Sequence, residues 1–175
     1  NWGNATLSLA NAYLNAGKYD VAYEEFQKIL ERYKNNVNFQ KNAQVGIAQI
    51  YLNQRDYAKA ITQLEKILVT FDDKSIRAQT LSSLSRIYFD QGKIDKAKET
   101  YMRLEKEAEG DLDAMYQLNI GLAEIARKQG NDEEAIARYE KAFETAPEDS
   151  QKIAAMSSIA MIYSTQGKFE QARKS

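Results

Sequence analysis

Residues 13–30, YLNAGKYDVAYEEFQKIL, read as the end of one helix, a tight break at Gly17 and a second helix. In the second helix the apolar residues Tyr19, Ala22, Phe26 and Ile29 fall three and four apart, the spacing that gathers side chains on one helical face. The pattern recurs. Tyr51, Arg55, Tyr57, Ala60, Leu64, Ile67 and Leu68 form a second copy, and Tyr88, Gly92, Ile94, Ala97, Tyr101, Leu104 and Glu105 a third. A fourth runs Ala126, Gly130, Asp132, Ala135, Tyr139, Ala142 and Phe143; a fifth begins Tyr163, Gly167, Phe169, Ala172.

The leading residues of the copies, Tyr13, Tyr51, Tyr88, Ala126 and Tyr163, follow one another at 38, 37, 38 and 37 residues. From the large apolar residue of each first helix (Leu9, Ile47, Leu84, Leu122) to the end of its second (Leu30, Leu68, Glu105, Phe143) the distance is always 21. The return to the next copy alternates between 17 and 16. A fixed helical hairpin with an adjustable link is the register of stacked repeats; a single globular core has no reason to keep it.

The recurring residue types have physical reasons. Ala10, Ala48, Ser85, Ala123 and Ala160 follow the large residue of the first helix, and Ala22, Ala60, Ala97, Ala135 and Ala172 recur in the second. Small side chains let helix axes approach while neighbouring Leu, Ile, Tyr and Phe fill the grooves. Gly17, Gly92, Gly130 and Gly167 fall where a helix must end in a left-handed residue. Arg55 stands in that place in the second copy, where Asn53 is expected to close the helix. Asp20, Asp56, Asp95 and the run Asn131-Asp132-Glu133-Glu134 supply acceptors and negative charge at second-helix starts. Asp72, Asp73 and Ser75 are expected before the third first helix, and Pro147, Asp149 and Ser150 before the fifth. The acidic run reads as helix-start electrostatics rather than a metal site, since no second acidic cluster faces it.

Composition bounds the function. An apolar share of 43% supports a continuous core, and 24 Lys and Arg against 25 Asp and Glu leave no basic footprint for nucleic acid. No apolar run approaches the ~20 residues of a membrane span. There is no cysteine and no histidine, so disulfides, thiolate metal sites and the commonest general base are absent. The opening NWGNATLSL carries no initiator Met and no signal-peptide pattern, and is expected to be the cut edge of a longer protein. The compartment stays open between cytoplasm and bacterial periplasm. Asn4-Ala5-Thr6 matches a glycosylation triplet, which chance often produces.

The string Ala-x2-Tyr-x3-Gly-x-Tyr-x2-Ala-x3-Phe-x2-Ile-Leu, from Ala10 to Leu30, resembles the tetratricopeptide repeat, whose period is 34 residues. The resemblance spans nearly the whole chain, in units of about 3–36, 41–74, 78–111, 116–149 and 153–175, the last truncated. It implies an all-α fold, an α-solenoid of stacked antiparallel helix pairs wound as a right-handed superhelix. The period here is longer by about one helical turn, with the surplus placed between units. Where the family has tryptophan in its first helix this chain has Thr6, Gln44, Leu81, Asn119 and Met156; Trp2 lies elsewhere and reads as a terminal packing residue. The family's proline after the second helix survives only as Pro147. The long unit and the ending Ile-Leu-x2-Tyr, residues 29–33, resemble bacterial cell-envelope and assembly-factor repeats more than chaperone adaptors.

In the family the first helices line a concave face that binds peptides or partner helices. With Thr6, Leu9, Ala10 and Tyr13 as the packing stripe, Asn4, Asn11 and Asn15 occupy another face of the first helix. The same face then carries Asn42, Gln49 and Asn53, next Gln79, Arg86 and Asp90, next Gln117, Glu124 and Lys128, and finally Ala154, Met161 and Thr165. The resemblance makes these polar residues the candidate partner contacts. Amides donate to and accept from a peptide backbone, and each mid-helix Asn costs about half a kcal/mol in propensity. The bland alternative is an ordinary solvated face, with Asn15 and Asn53 closing helices. The Lys and Asn pattern with which some relatives clamp a terminal carboxylate is not reproduced.

With no Gly-rich phosphate loop and no paired carboxylates in a pocket, neither catalysis nor a cofactor is expected. The reading is a non-catalytic scaffold for a protein or peptide. Its alternatives are a peptide-sensing regulatory domain of a larger protein, or a module that self-associates by stacking end to end.

Overall fold

The computed structural model describes residues 2–174. Among them the regular structure is entirely helical: α1 (Trp2–Asn15), α2 (Tyr19–Arg32), α3 (Val37–Asn53), α4 (Tyr57–Thr70), α5 (Lys74–Asp90), α6 (Ile94–Glu107), α7 (Leu112–Lys128), α8 (Asp132–Thr145), α9 (Asp149–Thr165) and α10 (Phe169–Lys174). Odd-numbered helices are first helices, even-numbered ones second. The helices α1–α4 make one compact unit ending at Asp72, and α5–α10 a second beginning at Asp73.

The repeat length is set by the links. Three residues join the helices within every pair (16–18, 54–56, 91–93, 129–131, 166–168), whereas the return has four at 33–36 and 108–111 and three at 71–73 and 146–148. The alternation of 38 and 37 is therefore one residue of loop. The surplus expected between units is helix rather than loop, because α3, α5, α7 and α9 run 17 residues against 14 for α2, α4, α6 and α8.

The first helices close alike. The Gly17 N–H donates to the Leu14 carbonyl at 3.0 Å and the Lys18 N–H to Tyr13 at 2.9 Å. Arg55 and Asp56 repeat that pair of bonds, to Leu52 at 3.0 Å and Tyr51 at 2.9 Å, with Arg55 itself left-handed at φ 56°. This corrects the expectation that Asn53 closes α3. The two backbone bonds set the turn, and Asn53 Oδ1 instead accepts from Gln49 Nε2 at 2.8 Å.

Asp56 and Asn131 cap α4 and α8, accepting from the Lys59 N–H at 3.2 Å and the Glu134 N–H at 3.3 Å. Asp20 and Asp95 lie one position inside their helices. Asp73 caps α5, accepting from Ile76 N–H at 3.0 Å. Ser75, Asp149 and Ser150, expected ahead of their helices, lie within them; Glu148 begins α9, its N–H donating to Gln151 Oε1 at 3.3 Å. The helix begins one or two residues earlier because a single acceptor at the boundary suffices.

The expected stripe of small residues is core except at Ala160 and Ala172, which are half-buried. Ala22, Ala60, Ala97 and Ala135 are sealed, as are Ala10, Ser85 and Ala123. In the first unit Phe26 and Ile29 of α2 pack with Ala43, Ile47 and Ile50 of α3. In the second, Ala123, Ala126, Ala135, Tyr139, Ile159 and Ile162 form one cluster, and Tyr116, Ala142, Ala146 and Ala155 another. Leu9 departs from the stripe, at 44% exposed. Ile47 at the same register packs with Phe26 and Ile29 of α2. Trp2 packs as expected, stacked on Tyr33 at 6.1 Å with Arg32 over its ring at 4.4 Å.

Close approach between successive pairs depends on glycine. A Cβ built on Gly46 in α3 would collide with the Phe26 ring of α2, and one on Gly121 in α7 with the Tyr101 ring and hydroxyl of α6. The aromatic of one second helix fills the space left by the missing side chain on the next first helix. Gly46→Ala and Gly121→Ala are therefore expected to destabilise by about 1–3 kcal/mol through overpacking, although Ala gains about 1 kcal/mol over Gly in helix propensity. Arg55→Gly is expected to stabilise by roughly 0.5–1 kcal/mol by relieving left-handed strain. Urea denaturation of the three variants checks both signs.

Candidate functional site

In the first unit, α1 and α3 lie side by side with a groove of about 380 Å³ between them. Leu7, Leu14, Val45 and Gly46 give it an apolar floor, and Asn11, Asn42 and Gln49 stand on it as amides. Gln49 is committed to Asn53 at 2.8 Å. Asn11 and Asn42 are exposed and make no side-chain hydrogen bond among the described residues. Asn4 is exposed on α1, and Asn15 and Asn53 are the last residues of α1 and α3.

In the second unit, α5 and α7 enclose a groove of about 310 Å³ of different chemistry. Gln79 and Gln117 line it with Ser75, Ser82, Ser83, Asp111 and Asp113. Beyond its C-terminal end lies an ion cluster. Arg86 Nε reaches Asp90 Oδ1 at 3.2 Å and Arg86 Nη1 reaches Glu124 Oε2 at 3.4 Å. The Lys128 ammonium lies over the Phe89 ring at 5.1 Å and the Arg86 guanidinium over the same ring at 6.0 Å. The four charges that the sequence set on one face thus meet, and they sum to zero. On α9 the same face carries Ala154, Met161 and Thr165; Met161 is exposed, its sulfur 3.9 Å from Arg127 Nη2.

Beneath the cluster lies Tyr101 of α6, 3% exposed. Burial above all, then the Glu124 carboxylate, opposed by Arg86 and helped by Asp90, pushes its phenol up to about 12. The hydroxyl is therefore a proton donor at all ordinary pH. Burial likewise raises the phenol of Tyr116 on α7.

Models of the tetratricopeptide repeat match residues 5–36, 39–106 and 114–175. The chain belongs to the tetratricopeptide-repeat family. Solved structures agree on the fold. PilF of Pseudomonas aeruginosa superposes with a TM-score of 0.75 at 17% identity, covering 98% of this chain and 72% of that one. A crystal structure of MamA gives 0.68 at 23% identity, covering 94% and 88%. The TPR-like repeats of a putative kinesin light chain from Podospora anserina give 0.69 at 16%, covering 98% and 90%. No curated protein matches by sequence.

Among the described residues, the repeats hold no cluster of three or more candidate metal ligands, and no helix is long and apolar enough to cross a membrane. The TPR register at which the family places tryptophan is buried at Thr6, Gln44, Leu81 and Asn119. Thr6 donates to the Trp2 carbonyl at 3.0 Å and Asn119 Nδ2 to Met115 at 2.9 Å. Gln44 Oε1 is sealed without a partner.

All twelve residues singled out from sequence lie at or near the surface, Glu124 half-buried and the others exposed. Asn11, Asn42 and Gln49 come together in one groove, Gln79 and Gln117 in the other, and Arg86, Asp90, Glu124 and Lys128 in the cluster; Asn4, Asn15 and Asn53 line neither groove. The groove floors were missed. Their signal was Gly46 and Ser83, small residues 37 apart at one register of α3 and α5, each lining its groove.

The Tyr101 shift has a consequence for stability. A rise from 10 to about 12 is worth roughly 3 kcal/mol in favour of the neutral phenol. Because the folded value exceeds the unfolded one, this contribution is complete below pH 10 and is lost as the pH climbs toward about 12. Tyr101→Phe is expected to flatten the fall in stability over that window, read by urea denaturation at stepped alkaline pH.

Proposed function

We propose that this chain is a non-catalytic scaffold that holds an extended segment of a partner protein against its first helices. The observation that carries the reading is the α1–α3 groove. An apolar floor of Leu7, Leu14 and Val45 lies under amides, and two of these amides, Asn11 and Asn42, have unspent hydrogen-bonding capacity. Apolar side chains of a segment lose water on that floor while its main chain exchanges bonds with the amides, which both donate and accept. Membership of a repeat family of protein-interaction modules agrees with this use, and the serine- and glutamine-lined groove between α5 and α7 offers a second, more polar surface of the same kind.

The test is selection from a displayed library of short random peptides, with binding sites mapped by backbone amide shifts. Peptides that move the Val45 and Gly46 signals are the expected product. Asn11→Ala with Asn42→Ala should weaken such peptides about tenfold, as expected for two lost hydrogen bonds. The melting temperature should hold, since both side chains are exposed. Unchanged affinity in the single and double variants removes the amides from the mechanism.

A further inference from the structure

We infer that the segment held between α1 and α3 carries aliphatic side chains at two alternate positions and a charge at neither, with the position between them free to vary. The inference rests on the scaffold reading and deepens it by naming the partner's chemistry.

This surface is depleted of charge. α1 has no Asp, Glu, Lys or Arg in its 14 residues, and α3 has only Lys41 in 17, which is outside the groove lining. The chain as a whole is 28% charged, and α5 and α7 carry four charged residues each. Loss of charge with retention of apolar and amide groups is the composition of the buried centre of a protein interface. The lining therefore offers no counter-ion. A carboxylate or ammonium brought onto Leu7, Leu14 and Val45 would give up its water and meet no opposite charge, so the groove discriminates by exclusion.

The length of the groove sets the spacing. Its lining runs from Leu7 to Leu14 on α1 and from Asn42 to Gln49 on α3, seven residues of helix on either wall, or about 10 Å. An extended segment advances about 3.3 Å per residue, so about three of its residues lie along that length. Alternate side chains of an extended chain point to opposite faces. The first and third therefore meet the floor, where Leu7 and Val45 are half-buried and have carbon left to cover. The second points to solvent. Asn11 and Asn42, one on each wall, are left for the main chain.

The experiment takes a peptide from the random library that moves the Val45 and Gly46 amide signals and scans it, one residue at a time, with Lys and with Glu. Affinities for the whole chain are read by fluorescence polarisation. Two positions, separated by one residue, are expected to lose about 30-fold or more with either charge, through a lost aliphatic contact and an unpaired ion. The residue between them is expected to lose less than about threefold. Asn11→Asp should shift the ratio of floor-Lys to floor-Glu affinity about fivefold toward Lys, since it supplies the missing counter-ion. Charge tolerated at every position overturns the inference, as do sensitive positions that are adjacent or three and four apart, or a ratio that Asn11→Asp leaves unchanged. The scaffold reading survives each of these. Failure to recover any peptide at this groove overturns both readings.

Discussion

Each of the two units depends on how closely one of its helical hairpins can approach the next, and that is decided where a second-helix aromatic meets a first-helix glycine. Phe26 against Gly46 and Tyr101 against Gly121 leave no room for even a methyl group. The alanine stripe does the same work within and between pairs with less aromatic volume, which is why those alanines are sealed. Close approach brings neighbouring first helices near enough to share a groove. The groove between neighbouring first helices is thus a by-product of packing on its reverse side.

The fold was legible because its determinants are local and repeated five times. Spacing located the hairpins, and the glycine positions located the closing turns. Arg55 shows where residue identity misled: a turn held by two backbone bonds does not need the residue that suits it best, only one that tolerates the strain. Leu9 shows the limit of reading each copy by its siblings: the register that seals Ile47 leaves it 44% exposed.

The site was legible in part. Polar residues on the first-helix face are visible in a sequence, so Asn11, Gln49, Arg86 and Glu124 could be named. Which of them meet was not visible, because the ion cluster joins α5 to α7 across 38 residues. The floors were hidden for another reason. Gly46 does its work by absence, opening space beside Leu7, Leu14 and Val45 that no side chain announces.

The alternation of four- and three-residue returns gives the array a longer unit than a single hairpin. Gly46 and Gly121 each follow a four-residue return, while Ser83 and Ser158 each follow a three-residue one. Link and floor residue thus vary together, at an interval of 75 residues. The two longer family matches, 39–106 and 114–175, begin at that same interval. Among the described residues the chain is thus a succession of two alternating hairpin types, distinguished by link length and by glycine or serine at one register of the first helix.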